Sequence, residues 1–363
     1  PAICQMVWHK LLFHLEHGDL HGYRLLLNSQ EARCFRGLAI DPMGWLVPGF
    51  ETDIDPFNDP NAFILARFMH QNGFTSCVER DARGWSPLMY AAMSGNAAVV
   101  QAMLEGKANA GDTITMPEKD LTLVKGMSCL AIASIFRNNA VMTLLLSARA
   151  NVNAPDAFGG TPLHSACISN DPPGIRILLE ARANPDLETI GGDTPFKLAA
   201  ACSSIDAMKE MLAQNPTQNL KYSLHSAMML GKGSAEAVSF LIHVRANVDE
   251  EFRIGLEYPV FWLLLNVSAA LHRVSPSRWT SLAYHHDGAT PLIFSILNGC
   301  YEATSVLLAA GARVDVQNYR RKTAVDLAGA MCAPGSVIKA LTSRESRALP
   351  APVDEEFEDC LSI

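Results

Sequence analysis

The sequence contains no apolar run that could cross a bilayer. The longest, Val260 to Leu265, falls far short of the roughly 20 residues that a spanning helix needs. Basic charge is also scarce. Lys plus Arg number 29 against 37 Asp plus Glu, for a net charge of −8 at pH 7, whereas a general nucleic-acid binder is basic. Neither a nucleic-acid partner nor a transmembrane segment is therefore expected. The opening residues, Pro1 to Met6, have no basic region and no apolar stretch of signal-peptide length. The nine cysteines (4, 34, 77, 129, 167, 202, 300, 332 and 360) form no C-x-x-C pair. An odd, dispersed set fits reduced thiols and a cytoplasmic location, with the nucleus as the other option.

Signatures of chemistry are missing as well. The sequence has no G-x-x-x-x-G-K-[ST], H-E-x-x-H, G-x-S-x-G or G-x-G-x-x-G. His9, His14, His17 and His21 lie close together, but Gly18 breaks the helix that would align His17 with His21. Partly exposed histidines on a capping helix pair explain them better than a metal site. No catalytic, cofactor-binding or metal-ligating residue is assigned. The chain is expected not to be an enzyme, and a site in its N-terminal region is the least favoured reading. The composition, 49% hydrophobic and 18% charged, is that of a chain that folds.

Repetition is what the sequence does have. Thr161-Pro162-Leu163-His164 recurs as Thr194-Pro195-Phe196-Lys197 and Thr290-Pro291-Leu292-Ile293. Weaker copies start at Ser86, Ser128, Tyr222, Tyr258 and Thr323. The second positions fall at 87, 129, 162, 195, 223, 259, 291 and 324. The successive steps are thus 42, 33, 33, 28, 36, 32 and 33. The Thr or Ser caps a helix by accepting from its orphan amides. The Pro occupies the first helical position, where its missing N–H costs nothing. A small residue follows at fixed offset (Ala91, Ala133, Ala166, Ala199, Ala227, Ala328) and lets neighbouring helices approach. A second apolar helix ends in a Leu-Leu-like pair, and a glycine two residues before the next cap opens the next unit: Gly84, Gly126, Gly159, Gly192 and Gly288.

This pattern resembles the ankyrin repeat, a 33-residue family with the signature T-P-L-H-x-A. The best match is Asp156 to Ala166, and the resemblance covers roughly residues 81–342. It implies an all-α ankyrin-repeat solenoid of about seven to nine units, degenerate ones included. Residues 1–80 are expected to form an irregular cap, with a degenerate repeat, a Pro-rich linker and a helix over Phe63 to His70 stopped at Asn72-Gly73. Residues 343–363 read as an acidic tail. The step of 42 places a lengthened finger loop within Gly111 to Lys125. The unit at 251–286 is degenerate, with Leu263 where Ala is expected.

The resemblance also implies function: a protein-interaction scaffold or adaptor, or else a structural subunit of a larger stable assembly. Its partners would be proteins, and the chain alone a monomer or one member of a hetero-complex. The surface would be the concave helix face, with Tyr90, Ile132, Phe136 and Leu198, and the finger tips, with Arg83, Trp85, Phe158, Ile190, Tyr319 and Arg320. The family's histidine, here His164 and His225, would serve structural hydrogen bonds. Lys107, Arg149, Arg182 and Arg245 replace the left-handed glycine that follows each second helix, and Gly311 keeps it. These four either relieve the helix dipole or form a row for an acidic partner. Cys360 to Ile363 has the outline of a prenylation box or a carboxyl ligand, though a solvated tail is favoured.

Overall fold

The computed structural model describes residues 52–54, 58–82, 84–115, 123–229 and 233–343. The N-terminal segment, with its four histidines, and residues 344–363 lie outside them, as does Arg83. Among the described residues are seventeen helices and only isolated bridges of β structure. The chain divides into two compact units, residues 1–189 and 190–363.

In the first unit, helix α1 (Pro60–Asn72) starts on Asp59, which accepts from Ala62 N at 2.9 Å. It stops at Gly73 in the left-handed region (φ 73°), as the Asn-Gly pair predicts. Three antiparallel helix pairs follow: α2 (Pro87–Ser94) with α3 (Ala97–Glu105), α4 (Cys129–Ile135) with α5 (Asn139–Ser147), and α6 (Pro162–Ile168) with α7 (Pro172–Glu180). First helices pack on first helices and second on second, and α1 covers α3. Ala91, Ala133 and Ala166 are wholly buried where these helices approach. The caps behave as read. Ser128 Oγ accepts from Ala131 N at 3.2 Å, and Thr161 N donates to His164 Nδ1 at 3.0 Å, which gives that histidine its structural role. Lys107, Arg149 and Arg182 all take the left-handed conformation (φ 64°, 63° and 67°).

The second unit contains α8 (Pro195–Ala201), α9 (Ile205–Gln214), α10 (Ser223–Met229), α11 (Ala235–His243), α12 (Pro259–Leu271), α13 (Arg278–His285), α14 (Pro291–Leu297), α15 (Tyr301–Ala309), α16 (Ala324–Ala330) and α17 (Gly335–Thr342). Arg245 and Gly311 are again left-handed (φ 70° and 89°). The stacking order here departs from the sequence reading. Helix α10 packs on α14 and α11 on α15, so the pair α12–α13 is no member of the stack. Asn298 Nδ2 donates to Met228 O at 2.7 Å, much as Asn138 Nδ2 reaches Ala92 O at 2.7 Å in the first unit.

The supposed repeat at Tyr258 is therefore an insertion. The chain from Ser223 to Pro291 makes one long stride between stacked units, not two steps of 36 and 32. Phe252 marks where the excursion leaves: Phe252 N donates to Ala289 O and Gly288 N donates to Phe252 O, both at 2.9 Å. Residues 253–287 depart from that bridge and return to it, so the hairpin grows from a finger loop. Helix α12 cannot join the stack because Leu263 stands where an alanine would let a neighbour approach. Its cap residue, Tyr258, also makes no side-chain capping bond.

Candidate protein-interaction surfaces

Two kinds of surface were expected, and the structure treats them differently. Several residues assigned to the concave face are core. Ile132 is wholly buried, as is Phe294 further along. Tyr90, Phe136 and Leu198 are half-buried. Tyr90 donates its phenol to Asp81 Oδ2 at 2.6 Å and sits 5.2 Å from the Trp85 ring. Trp85, read as an exposed fingertip, is only 2% exposed. Its backbone N–H donates to Asp81 Oδ1 at 2.8 Å, and its ring fills the space beside Tyr90 and Phe74. Ile132 and Trp85 are thus removed as surface residues, because stacking closes over both.

The other fingertips do project. Phe158 is 52% exposed and Ile190 43%. The Phe158 tip is held by Asp156, whose Oδ1 accepts from Phe158 N at 2.8 Å and Gly160 N at 2.9 Å. Burial raises the Asp156 pKa against these lowering bonds. The finger is also pinned to its neighbour, since Ala157 N donates to Lys125 O at 2.9 Å. In the second unit the Tyr319 tip repeats that construction. Tyr319 N donates to Asp287 O at 2.9 Å, and Asn318 Oδ1 accepts from Arg320 N and Lys322 N, both at 3.0 Å. Tyr319 is 82% exposed.

Around Tyr319 lies a cluster that sequence reasoning did not assemble. The Arg320 guanidinium stacks on the Tyr284 ring, 3.4 Å from its centroid, and its Nε donates to Tyr284 O at 2.5 Å. His272 stacks on the same ring at 4.9 Å. A hydrogen bond from Arg273 and the nearby Arg320 charge lower the Tyr284 pKa. Burial, then the Arg320 cation, pushes His285 down to about 4, so it is neutral at pH 7. Tyr284, His285, Tyr319, Arg320 and Lys322 line a shallow cleft of about 360 Å³. The only hint in the sequence was Tyr319-Arg320 at a tip; Tyr284 and Arg273 arrive with the inserted hairpin.

Among the described residues, no group of three or more His, Cys, Asp or Glu could hold a metal ion. No helix among them is long and apolar enough to cross a membrane.

Comparison with known proteins agrees with the helix-pair architecture. A family model of three ankyrin repeats matches residues 113–189, and a single-repeat model matches residues 83–113. A zinc finger CCCH domain-containing protein 56 of Arabidopsis thaliana is 27% identical over 216 residues, 56% of this chain. The chain spans about a quarter of that relative, 27% of its length. The crystal structure of the human ASB11 ankyrin repeat domain is 24% identical, with a TM-score of 0.52, covering 74% of this chain and 100% of that one. The ankyrin repeat domain of Bcl-3 is 19% identical, with a TM-score of 0.49, covering 72% and 99%. Capped, proline-started helix pairs, matched by family models and by a solved fold, make this chain an ankyrin-repeat protein.

Proposed function

We propose that this protein is a non-catalytic scaffold or adaptor that binds protein partners through its projecting finger tips. Ankyrin repeats are in general protein–protein interaction modules. The observation that carries the finer reading is the shared construction of two tips. Phe158 and Tyr319 are large, exposed rings, each on a turn that an Asp or Asn side chain holds and a neighbouring finger pins. A ring held this way loses little freedom on binding, and exposed aromatic and Arg side chains dominate binding hot spots. Ile190 and Arg320 extend the two tips, and half-buried Tyr90, Phe136 and Leu198 are secondary.

The test is capture of companions from the native source by tagged protein, with wild type beside a Phe158→Ser/Tyr319→Ser double variant. An adaptor should lose its companions at least tenfold in the variant while its thermal melt is unchanged. Companions retained in full by the double variant would sink the fingertip reading. Companions held at fixed stoichiometry through purification would replace the adaptor with a permanent subunit.

A further inference from the structure

The inserted hairpin carries a surface that the repeats do not. Of the thirteen residues of α12, only Leu265 and Ser268 are buried. Trp279 Nε1 of α13 donates to Ser268 Oγ at 3.0 Å, which marks the face turned to α13. Val260, Leu264, Val267 and Leu271 are each at least half exposed. Their spacing of four, three and four residues lays them along one stripe of the helix, about 16 Å long at 1.5 Å per residue. Helix α12 has no charged residue at all. Cations gather beyond its C-terminal end instead: Arg273 bonds to Tyr284, on which Arg320 stacks, with Lys322 at the same cleft. Among the described residues no ion pair engages these three, although the chain as a whole is acidic. Asp287 is the one acid close by, near His286. An apolar stripe with cations at its end calls for an acidic, amphipathic occupant.

The chain itself encodes one. Residues 344–363 lie outside the described residues, but their sequence is definite. Val353, Phe357 and Leu361 are spaced by four, and Asp354, Glu355, Glu356, Glu358 and Asp359 fill the positions between. Pro352 directly before this run, and acids in its first turn, are helix-start signals. The segment also starts in the right place. A short turn, residues 331–334, joins α16 to α17, which pack together. The end of α17 therefore returns to the level of Thr323, beside Lys322. Residues 344–352 link Ser343 to Val353, a reach of up to about 35 Å.

We propose that residues 353–363 dock on α12, with Val353, Phe357 and Leu361 against the Val260–Leu271 stripe and the carboxylates of 354–359 on Arg273, Arg320 and Lys322. Docked there, the segment covers the Tyr319–Arg320 tip and competes with any partner of that finger. The proposal concerns the chain alone and stands apart from the adaptor reading.

Hydrogen exchange on the full chain tests it without a partner. Amides of α12 are followed in wild type and in a Phe357→Asp/Leu361→Asp variant, with α14 and α15 as internal references. Exchange of α12 should quicken at least tenfold in the variant, with the references unmoved. A synthetic peptide of residues 344–363, added to the variant, should restore protection. Equal α12 exchange in the two chains overturns the proposal. So does protection that disappears on dilution together with a sedimenting dimer, which would make a second copy the occupant. Equal binding of both chains to phosphatidylserine vesicles, with no protection in their absence, would give the stripe to a membrane.

Discussion

Two finger loops of this molecule are lengthened, one in each unit, and both close on the same small piece of backbone. In the first, Ile114 N donates to Met127 O at 3.0 Å and Gly126 N donates to Ile114 O at 2.8 Å. In the second, Phe252, Ala289 and Gly288 take those three parts. Ile114 and Phe252 are both buried, and Gly126 and Gly288 are both left-handed (φ 84° and 70°). A Cβ on either glycine would stand 3.2 Å from a backbone nitrogen of the next finger, so the glycine is needed for space as well as for φ. The two loops differ only in what grows from the bridge: a short excursion after Ile114, and a hairpin of two helices, α12 and α13, after Phe252. The repeat thus tolerates insertion at one point, where a closed bridge isolates the stack from whatever is added.

That comparison can be broken most sharply at the base. Phe252 packs 5.0 Å from Tyr222, 5.2 Å from His225 and 5.1 Å from Phe294, centroid to centroid. Phe252→Ala should cost about 3–5 kcal/mol, by urea unfolding of the intact chain. A loss below about 1 kcal/mol would mean that the bridge does not anchor the second unit. Removing the hairpin itself should matter less. Replacing residues 254–286 by a short Gly/Ser turn leaves the bridge intact and costs about 2–3 kcal/mol, as Leu282 and Ala283 no longer pack on α14. Circular dichroism should fall only by the helicity of α12 and α13. Loss of all second-unit helicity would instead show that the hairpin nucleates the stack.

Much of this was legible from sequence because each signal had a local cause. Thr-Pro is both cap and first turn, Gly126 and Gly288 are geometric necessities, and the basic residues at 107, 149, 182 and 245 occupy the predicted left-handed position. The insertion was hidden by arithmetic. The stride from Ser223 to Pro291 is close to two periods, and Tyr258-Pro259 imitates a cap. Only Leu263, too large for the alanine position, spoke against it. The site was less legible than the fold. Burial of Trp85 and Ile132 depends on stacking partners that lie far along the chain, and the Tyr284–Arg320 cluster on where an insertion folds.

The smallest effect separates the two bases by chemistry. His225 Nε2 lies 3.1 Å from Ala289 O and clamps α10 to the second bridge; at the equivalent place in α2 the first unit has Met89, which cannot titrate. Burial drives the His225 pKa down to about 3, against the raising pull of the Ala289 and Glu250 backbone. The native state therefore keeps this imidazole neutral, while the unfolded chain restores a pKa near 6.5. Below pH 6.5 the unfolded state binds a proton that the native state refuses. Stability is complete above that pH and falls as the pH drops from 6.5 towards 3, by about 1.4 kcal/mol at pH 5.5. His285 and His286 are also depressed and act in the same direction, so the measurement is a difference: the loss on going from pH 7.5 to 5.5 in wild type, less that in His225→Gln. An excess of about 1.4 kcal/mol in wild type assigns the acid sensitivity to the second bridge. No excess would mean that the clamp is hydrated, and that the two bases are alike in chemistry as well as geometry.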